Sequence, residues 1–493
     1  MLTSLTLQIV ALICGLILPR AILSNFGSDV NGLISSTTQF LSYITLLEAG
    51  VGGVTRAALY KPLAEKNYEK ISGILKATEN FFRKIAYVFV GYSVVLACVF
   101  PFIANSEKSW GFISTLVLVI SISTFSQYYF GITYIVFLQA DQRLYILNVL
   151  QLLTVVLNTV LSLILIKMGA GIQIVKLGTS FVFFLKPLIL NFYVKKKYPI
   201  QMRNRKPDNE AIRDRWSGLG HHIAFFLHSN TDIVVLTIFL SAKEVSVYSV
   251  YYLVASGVER LVSVFSSGCE AAFGNIIAKG EKETLNKTFR LYEMIVSCVT
   301  IVMFMTAARL TLPFVELYTD NVNDINYMRP ALMALLVAAE IAYCFRIPYQ
   351  NVTLAAGHYK QTKNGAYAEA AINIVLSLIL VNFLGSVGVV IATLVAMVFR
   401  TLQYAIYLSK HILKSNMTQF IKRMAVNLLI IGIIVLINFL LPEVKTENYL
   451  QFIVAGIVTV AATAVVTFAI NTVFYPKDTV LMFRQLTRTL IKK

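Results

Sequence analysis

The sequence predicts an all-α integral membrane protein of about 14 transmembrane helices. Three observations carry that reading. Hydrophobic residues make up 57% of the 493, and the mean hydropathy is +0.71. Charged residues are only 14%, against about 25% in a soluble domain. The apolar residues are gathered into runs of about 20, the length that crosses a hydrocarbon core.

In chain order the predicted spans are 2–23, 31–58, 80–103, 112–137, 145–167, 172–194, 217–240, 246–274, 288–312, 328–352, 361–384, 386–409, 419–441 and 447–474. Leu2 to Leu23 has no basic leader and no small-residue cleavage site, so it is taken as a span and not a signal peptide. The connections are short, with no sizeable loop to hold a soluble catalytic domain. A net charge of +18 could suggest nucleic acid. Its distribution argues otherwise. About 30 Lys and Arg fall in one set of loops, including Lys195 to Lys197, Arg213, Arg215 and the tail from Lys477. The alternate loops hold about five: Lys108, Lys167, Lys243, Arg329 and Lys445. This asymmetry predicts a multi-pass protein with both termini in the cytoplasm and no nucleic-acid partner.

The sequence also repeats. Asn158 to Leu165 reads NTVLSLIL, and Asn373 to Leu380 reads NIVLSLIL. Ser35, Thr38, Ser42, Thr45, Ala49, Gly53 and Arg56 form a small or polar stripe on span 2. Ser249, Tyr252, Ser256, Glu259, Ser263, Ser267 and Glu270 form its counterpart on span 8. The repeat predicts two pseudo-symmetric six-helix lobes in parallel orientation. They would be an N-lobe over 1–194 and a C-lobe over 217–409, joined by a basic linker at 195–216. Two further helices over 410–475 and a basic tail over 476–493 complete the expected plan.

Polar groups on a spanning helix must face protein or water. Small residues alone are explained by close helix packing; charges in the same stripe shift the reading toward a wet cavity. The candidate cavity cations are Arg20, Arg56, Arg260, Arg346 and Lys186. Arg260 falls near the middle of span 8, too deep for easy snorkelling, which would account for Arg20 and Arg56 near span ends. Ion pairing with Glu48, Glu259, Glu340 or Glu369 is the competing structural role. Polar or coupling candidates are Ser42, Thr45, Glu48, His221, His228, Asp232, Ser256 and Glu259. His221 and His228 are two turns apart, too far to share one metal site, so no metal is expected. Pro19, Pro187 and Pro348 lie beside Arg20, Lys186 and Arg346 and predict kinks there. Arg56 and Glu270 hold equivalent repeat positions with opposite charges, which makes them a candidate gate pair. The five cysteines, Cys14, Cys98, Cys269, Cys298 and Cys344, all fall in apolar runs without metal spacing. No HExxH, P-loop or GxSxG is present, so neither enzyme chemistry nor a cofactor is expected.

Three segments resemble a known family. They are Leu16 to Ile71, the run NTDIVVLTIFLSAKEVSVYSVY from Asn230, and the run from Ala355 that opens AAGHYKQTKNGAYAEAAINIVLSLIL. The sequence is similar there to the bacterial polysaccharide (O-antigen or capsule) flippases, the Wzx-type branch of the multidrug/oligosaccharidyl-lipid/polysaccharide exporters. The resemblance implies two lobes forming a V. It also implies flipping of an undecaprenyl-diphosphate-linked oligosaccharide across the cytoplasmic membrane by alternating access. Cavity cations would meet the diphosphate, with Arg20, Arg56 and Arg260 fitting by position. Expected partners are that substrate, membrane lipids and polysaccharide assembly proteins, around a functional monomer. The coupling ion, H+ or Na+, stays open. Two other classes stay open as well: a multidrug exporter of the same superfamily, which would want acidic cavity residues, and a membrane glycan polymerase or glycosyltransferase.

Overall fold

A computed structural model describes residues 2–491 apart from 49, 201, 203–204, 217–218, 265, 267–268, 443, 445 and 447. The side chains of 2, 5, 214–225, 227–229, 270–271, 483 and 485–491 also lie outside the described set. Among the described residues every regular element is helical.

The helices are α1 (Leu2–Ser42), α2 (Thr45–Glu48), α3 (Val51–Ala64), α4 (Tyr68–Ile103), α5 (Trp110–Ser126), α6 (Ile132–Ala140), α7 (Leu144–Lys167) and α8 (Ile172–Lys197). They continue with α9 (Leu219–Phe239), α10 (Ala242–Val264), α11 (Cys269–Ala278), α12 (Lys282–Tyr318), α13 (Pro330–Ala355), α14 (Tyr359–Leu384) and α15 (Ser386–Leu408). The last three are α16 (Thr418–Leu440), α17 (Tyr449–Phe474) and α18 (Pro476–Ile491). Single π-turns occupy Gln127–Gly131 and Ser409–Leu413. The order repeats: helices that begin at Tyr68, Leu144 and Ile172 recur at Lys282, Tyr359 and Ser386, each 214 or 215 residues on.

Eleven helical segments are long and apolar enough to cross a membrane among the described residues, so this is a multi-pass membrane protein. The sequence reading counted 14. One source of the difference is the first segment, Thr6–Glu48, which spans two of the predicted crossings. Here α1 runs on through both and changes direction at Gly27, whose φ of 82° is left-handed and costs a glycine little. Predicted spans 2 and 8 are each interrupted instead of continuous. Span 2 is divided among α1, α2 and α3, with the last break beside Gly50. Span 8 is divided between α10 and α11, with Ser266 in a turn between them. Serine competes for backbone hydrogen bonds and glycine carries the largest entropy cost in a helix, so both sites are weak points for helix propagation.

By contacts the chain divides into two compact units. The first holds Met1–Val247 with Asn321–Ile325, and the second holds Tyr248–Asp320 with Asn326–Lys493. In the first unit α9 and the start of α10 meet α1 through polar pairs. Ser36 and Thr237 share a 2.7 Å hydrogen bond, Gln39 donates to Asn230 at 2.5 Å, and Asn31 donates to Ser246 at 2.7 Å. The Gly27 bend is held by Asp324: the Ser28 amide donates to its carboxylate at 2.8 Å and the Ser28 hydroxyl at 2.5 Å. Nearby, Ser106 donates to Asp29 at 2.6 Å. Lys243 pairs with Glu107 at 2.7 Å, and that hydrogen bond raises the ammonium above its ordinary value.

In the second unit the last three helices are tied down by a buried cation. Arg423 on α16 is 4% exposed. It lies within 4.0 Å of Glu293 on α12 and 3.7 Å of Asp478 on α18, and over the ring of Tyr475 at 3.8 Å. Glu293 also accepts a hydrogen bond from Tyr349 on α13. One guanidinium thus joins α12, α16 and α18, with α13 linked through the shared carboxylate.

The Gly27 bend supplies a test. Asp324→Ala leaves the Ser28 amide and hydroxyl without their acceptor, at a cost of about 1–3 kcal/mol. Gly27→Ala forces a side chain into a left-handed conformation, with its Cβ 3.2 Å from Asp324 Oδ2. Both variants should lower the apparent thermal midpoint of the detergent-purified protein, whereas Glu107→Ala, at an exposed pair, should leave it nearly unchanged.

Candidate functional site

The first unit holds a partly open cavity of about 310 Å³ lined by both polar and apolar side chains. Its floor is one face of α8. Lys176, Thr179, Ser180, Phe183, Lys186, Pro187 and Leu190 all line it, at three- and four-residue spacings that keep them on one side of a helix. The other side of α8 shows exposed Leu177, Phe181, Leu188 and Phe192, as a lipid-facing surface does. Thr38 on α1, Ser123 and Thr124 on α5, Gln127 in the π-turn and Gln151 on α7 supply the remaining polar groups.

Local sequence shapes this wall. The π-turn at Gln127–Gly131 widens the helix, a feature frequent at functional sites. It brings Gly131 against Pro187; a Cβ on residue 131 would lie 3.1 Å from the proline ring. Pro187 has no N–H, so it withdraws one backbone bond from α8 beside the lysine. The Lys186 ammonium donates to Gln151 Oε1. The Ser180 hydroxyl donates to the Val119 carbonyl at 2.7 Å. Two ammonium groups line the cavity, and among the described residues no carboxylate does.

The other expected residues of this unit are placed as follows. Arg56, on α3, is half-buried and donates to Gln139 Oε1 at 2.8 Å. Arg20, on α1, is half-buried and has partners. The hydroxyls of Ser42 and Thr45 turn back to the carbonyls of Gln39 and Ser42 at 2.6 and 2.8 Å. Glu48 accepts from Tyr128 at 3.3 Å. Asp232, on α9, is half-buried and partnered. The side chains of His221, His228 and Glu270 lie outside the described residues, and with them the proposed Arg56–Glu270 gate pair.

In the second unit Arg260 is exposed in the last turn of α10, one turn before the break, and not at the middle of a continuous span. Glu259 accepts from Ser263 at 2.6 Å, and Ser256 is half-buried beside them on α10. Arg346 is enclosed, at 3% exposure. It donates to Glu369 at 2.5 Å and lies over the Tyr343 ring at 4.5 Å. Arg400 reaches the second oxygen of the same carboxylate at 3.4 Å and donates to Tyr404 at 2.9 Å. Glu369 therefore carries two buried guanidinium groups, and in this conformation Arg346 is a structural cation. The same unit holds an apolar cavity of about 500 Å³ bounded by α12, α16 and α17. Arg309 lies at one side, donating to the carbonyls of Asn438 and Pro442 at 3.1 and 2.9 Å.

Sequence reasoning singled out Lys186 but missed Lys176. The signal was available: Lys176 stands ten residues earlier on the same α8 face, with Thr179, Ser180 and Phe183 between them.

No family model matches the sequence, and no curated protein matches it. Solved structures do. The chain is similar to lipid II flippase MurJ in an inward closed conformation, with a TM-score of 0.68 and 17% identity over 96% of this chain and 99% of that one. It is similar to an inward-facing multidrug-resistance MATE transporter of the MOP superfamily, with a TM-score of 0.61 and 15% identity over 82% and 95%. A eukaryotic MATE transporter, AtDTX14, matches with a TM-score of 0.53 and 14% identity over 82% and 95%. The chain therefore has the fold of membrane transporters. Specifically, it is the fold shared by a lipid-linked flippase and the multidrug exporters of the MOP superfamily.

The Glu369 cluster is directly testable. Glu369→Ala strands two buried guanidinium groups and should destabilise the protein by about 3–5 kcal/mol. The Ala variant should show a lower apparent thermal midpoint in detergent and lower membrane abundance. Arg346→Met with Glu369 intact should cost less, because Arg400 still holds the carboxylate.

Proposed function

We propose that the protein is a flippase for an undecaprenyl-diphosphate-linked oligosaccharide, working by alternating access in the bacterial cytoplasmic membrane. The observation that supports this most is the sign of the cavity in the first unit: two lysines among hydroxyl and amide groups, with no carboxylate among the described lining residues. A site for organic cations would want the opposite charge. A substrate head of phosphates and sugars has anionic and hydroxyl groups that hydrocarbon cannot satisfy. Ammonium and guanidinium groups offer those groups charge-assisted hydrogen bonds.

In this proposal Arg56 and Arg260 serve the phosphates, and both termini are cytoplasmic, as the loop charges suggest. Transport uses H+ or Na+ and a single copy of the chain, alongside polysaccharide assembly proteins.

Proteoliposomes test the reading. The purified protein should move a fluorescent undecaprenyl-diphosphate oligosaccharide between leaflets and should not accumulate a lipophilic organic cation. Arg260→Ala should cut that movement at least about tenfold, the effect of losing one charge-assisted contact, at unchanged membrane abundance. Cation accumulation without glycolipid movement would establish the multidrug reading instead.

A further inference from the structure

The basic tail expected over 476–493 folds as the helix α18 (Pro476–Ile491), 16 residues long. It follows α17 (Tyr449–Phe474) with only Tyr475 between them. The 26 residues of α17 measure about 39 Å at 1.5 Å per residue, enough to cross a hydrocarbon core of about 30 Å. α18 therefore starts at headgroup level. At about 24 Å, and with Lys477, Asp478, Arg484 and Arg488 in its sequence, it cannot make another crossing.

Its two sides differ. Positions 475, 478, 479 and 482 share one side at helical spacing and face the protein. The Tyr475 ring lies 3.8 Å from the Arg423 guanidinium, and Asp478 lies 3.7 Å from the same group. Thr479 and Met482 are each 2% exposed, Met482 packing against Met294 and Cys298 of α12. Lys477, Val480 and Arg484 are exposed, at steps of three and four that set them on another side. In the sequence the four-residue step continues through Arg488 to Lys492. Asp478 is the one carboxylate in residues 476–493, and it is engaged with Arg423. The outward row is thus cationic, with an exposed valine inside it. An apolar side chain among cations at the end of a span suits the boundary of a bilayer, where the valine meets acyl chains and the cations meet headgroups. Charge then selects the lipid, because a basic row at a membrane surface draws anionic headgroups. An acidic protein would also complement the row, but the connection to α17 already holds it at the bilayer surface, where lipid is the neighbour at hand.

We propose that α18 is an interfacial helix whose outward row docks on anionic phospholipid headgroups of the leaflet in which α17 ends, the cytoplasmic one in the orientation proposed above. Because Asp478 stands in its first turn, lipid charge then bears on how firmly the buried Arg423 keeps its second carboxylate. This docking does not depend on what the carrier moves.

Hydrogen exchange of the full-length protein in nanodiscs, read by mass spectrometry, tests it. The discs hold either phosphatidylcholine alone or an equal mixture of phosphatidylcholine and phosphatidylglycerol. Each basic residue at an anionic surface is worth about a fivefold gain. Backbone amides of residues 484–491 should therefore exchange at least about tenfold more slowly in the anionic discs, since local opening now has to undo that docking. The difference should vanish at about 1 M salt, where the screening length is about 3 Å. A triple variant, Lys477→Gln with Arg484→Gln and Arg488→Gln, should lose the difference at low salt. The charge-keeping triple, Lys477→Arg with Arg484→Lys and Arg488→Lys, should retain it, which separates charge from a misfolded helix. Equal exchange in the two lipids overturns the proposal, and so does a slowing that the Gln triple keeps. Soluble polyglutamate, added to the phosphatidylcholine discs, stands in for an acidic protein. Slowing by polyglutamate without slowing by phosphatidylglycerol assigns the row to a protein partner and overturns the lipid docking.

Discussion

A charge buried away from water must find a partner, and most of this chain's organisation follows from how that demand is met. In the second unit it is met internally. Glu369 serves Arg346 and Arg400, and Glu293 with Asp478 serves Arg423. Neighbouring tyrosines add to these clusters, Tyr404 by accepting from Arg400 and Tyr343 and Tyr475 by covering Arg346 and Arg423 with their rings, although the Arg346 Nε–H is buried without an acceptor. Replacing one member leaves an uncompensated ion, so each cluster fixes which helices can be neighbours. In the first unit the Lys186 ammonium donates to the neutral Gln151, and among the described residues no carboxylate lines the cavity it shares with Lys176. The contrast separates cations that hold the protein together from cations available to something else.

Much of the architecture was legible in the sequence because hydrocarbon imposes a simple rule. A chain that crosses it must satisfy its own backbone, which in this composition means helices. The run lengths of apolar residues therefore placed the helices closely, and the 214-residue repeat reappears in the starts of α4, α7 and α8 against α12, α14 and α15. Helix continuity was less legible. Span 8 reads as one apolar run, yet Ser266 lies in a turn between α10 and α11. Hydropathy registers a serine as mild; helix propensity registers it as unfavourable.

Candidate site residues divided along a similar line. The sequence marks a cation but not its counter-charge, because partners come from other helices. Arg346 and Lys186 look alike in sequence, each inside a span and beside a proline. Only packing distinguishes the enclosed pair from the open ammonium. Lys176 was overlooked because it stands near the start of its span, where a lysine is ordinarily explained by snorkelling. Its place on the same α8 face as Lys186 is the feature that sets it apart.

The Arg423 cluster bears on how the C-terminal helices are regarded. These helices fall outside the duplicated part of the sequence and could be taken for an accessory appended to a finished carrier. The ionic wiring argues against that view. Removing α18 would take Asp478 and the Tyr475 ring's neighbour away from a cation that is 4% exposed, and removing α16 would leave Glu293 deep among α12 and α13 with only a phenol for company. Whatever the order in which these segments were acquired, the present core has become dependent on them. A chain ending after α15 would keep the buried Glu293 and lose the guanidinium that faces it.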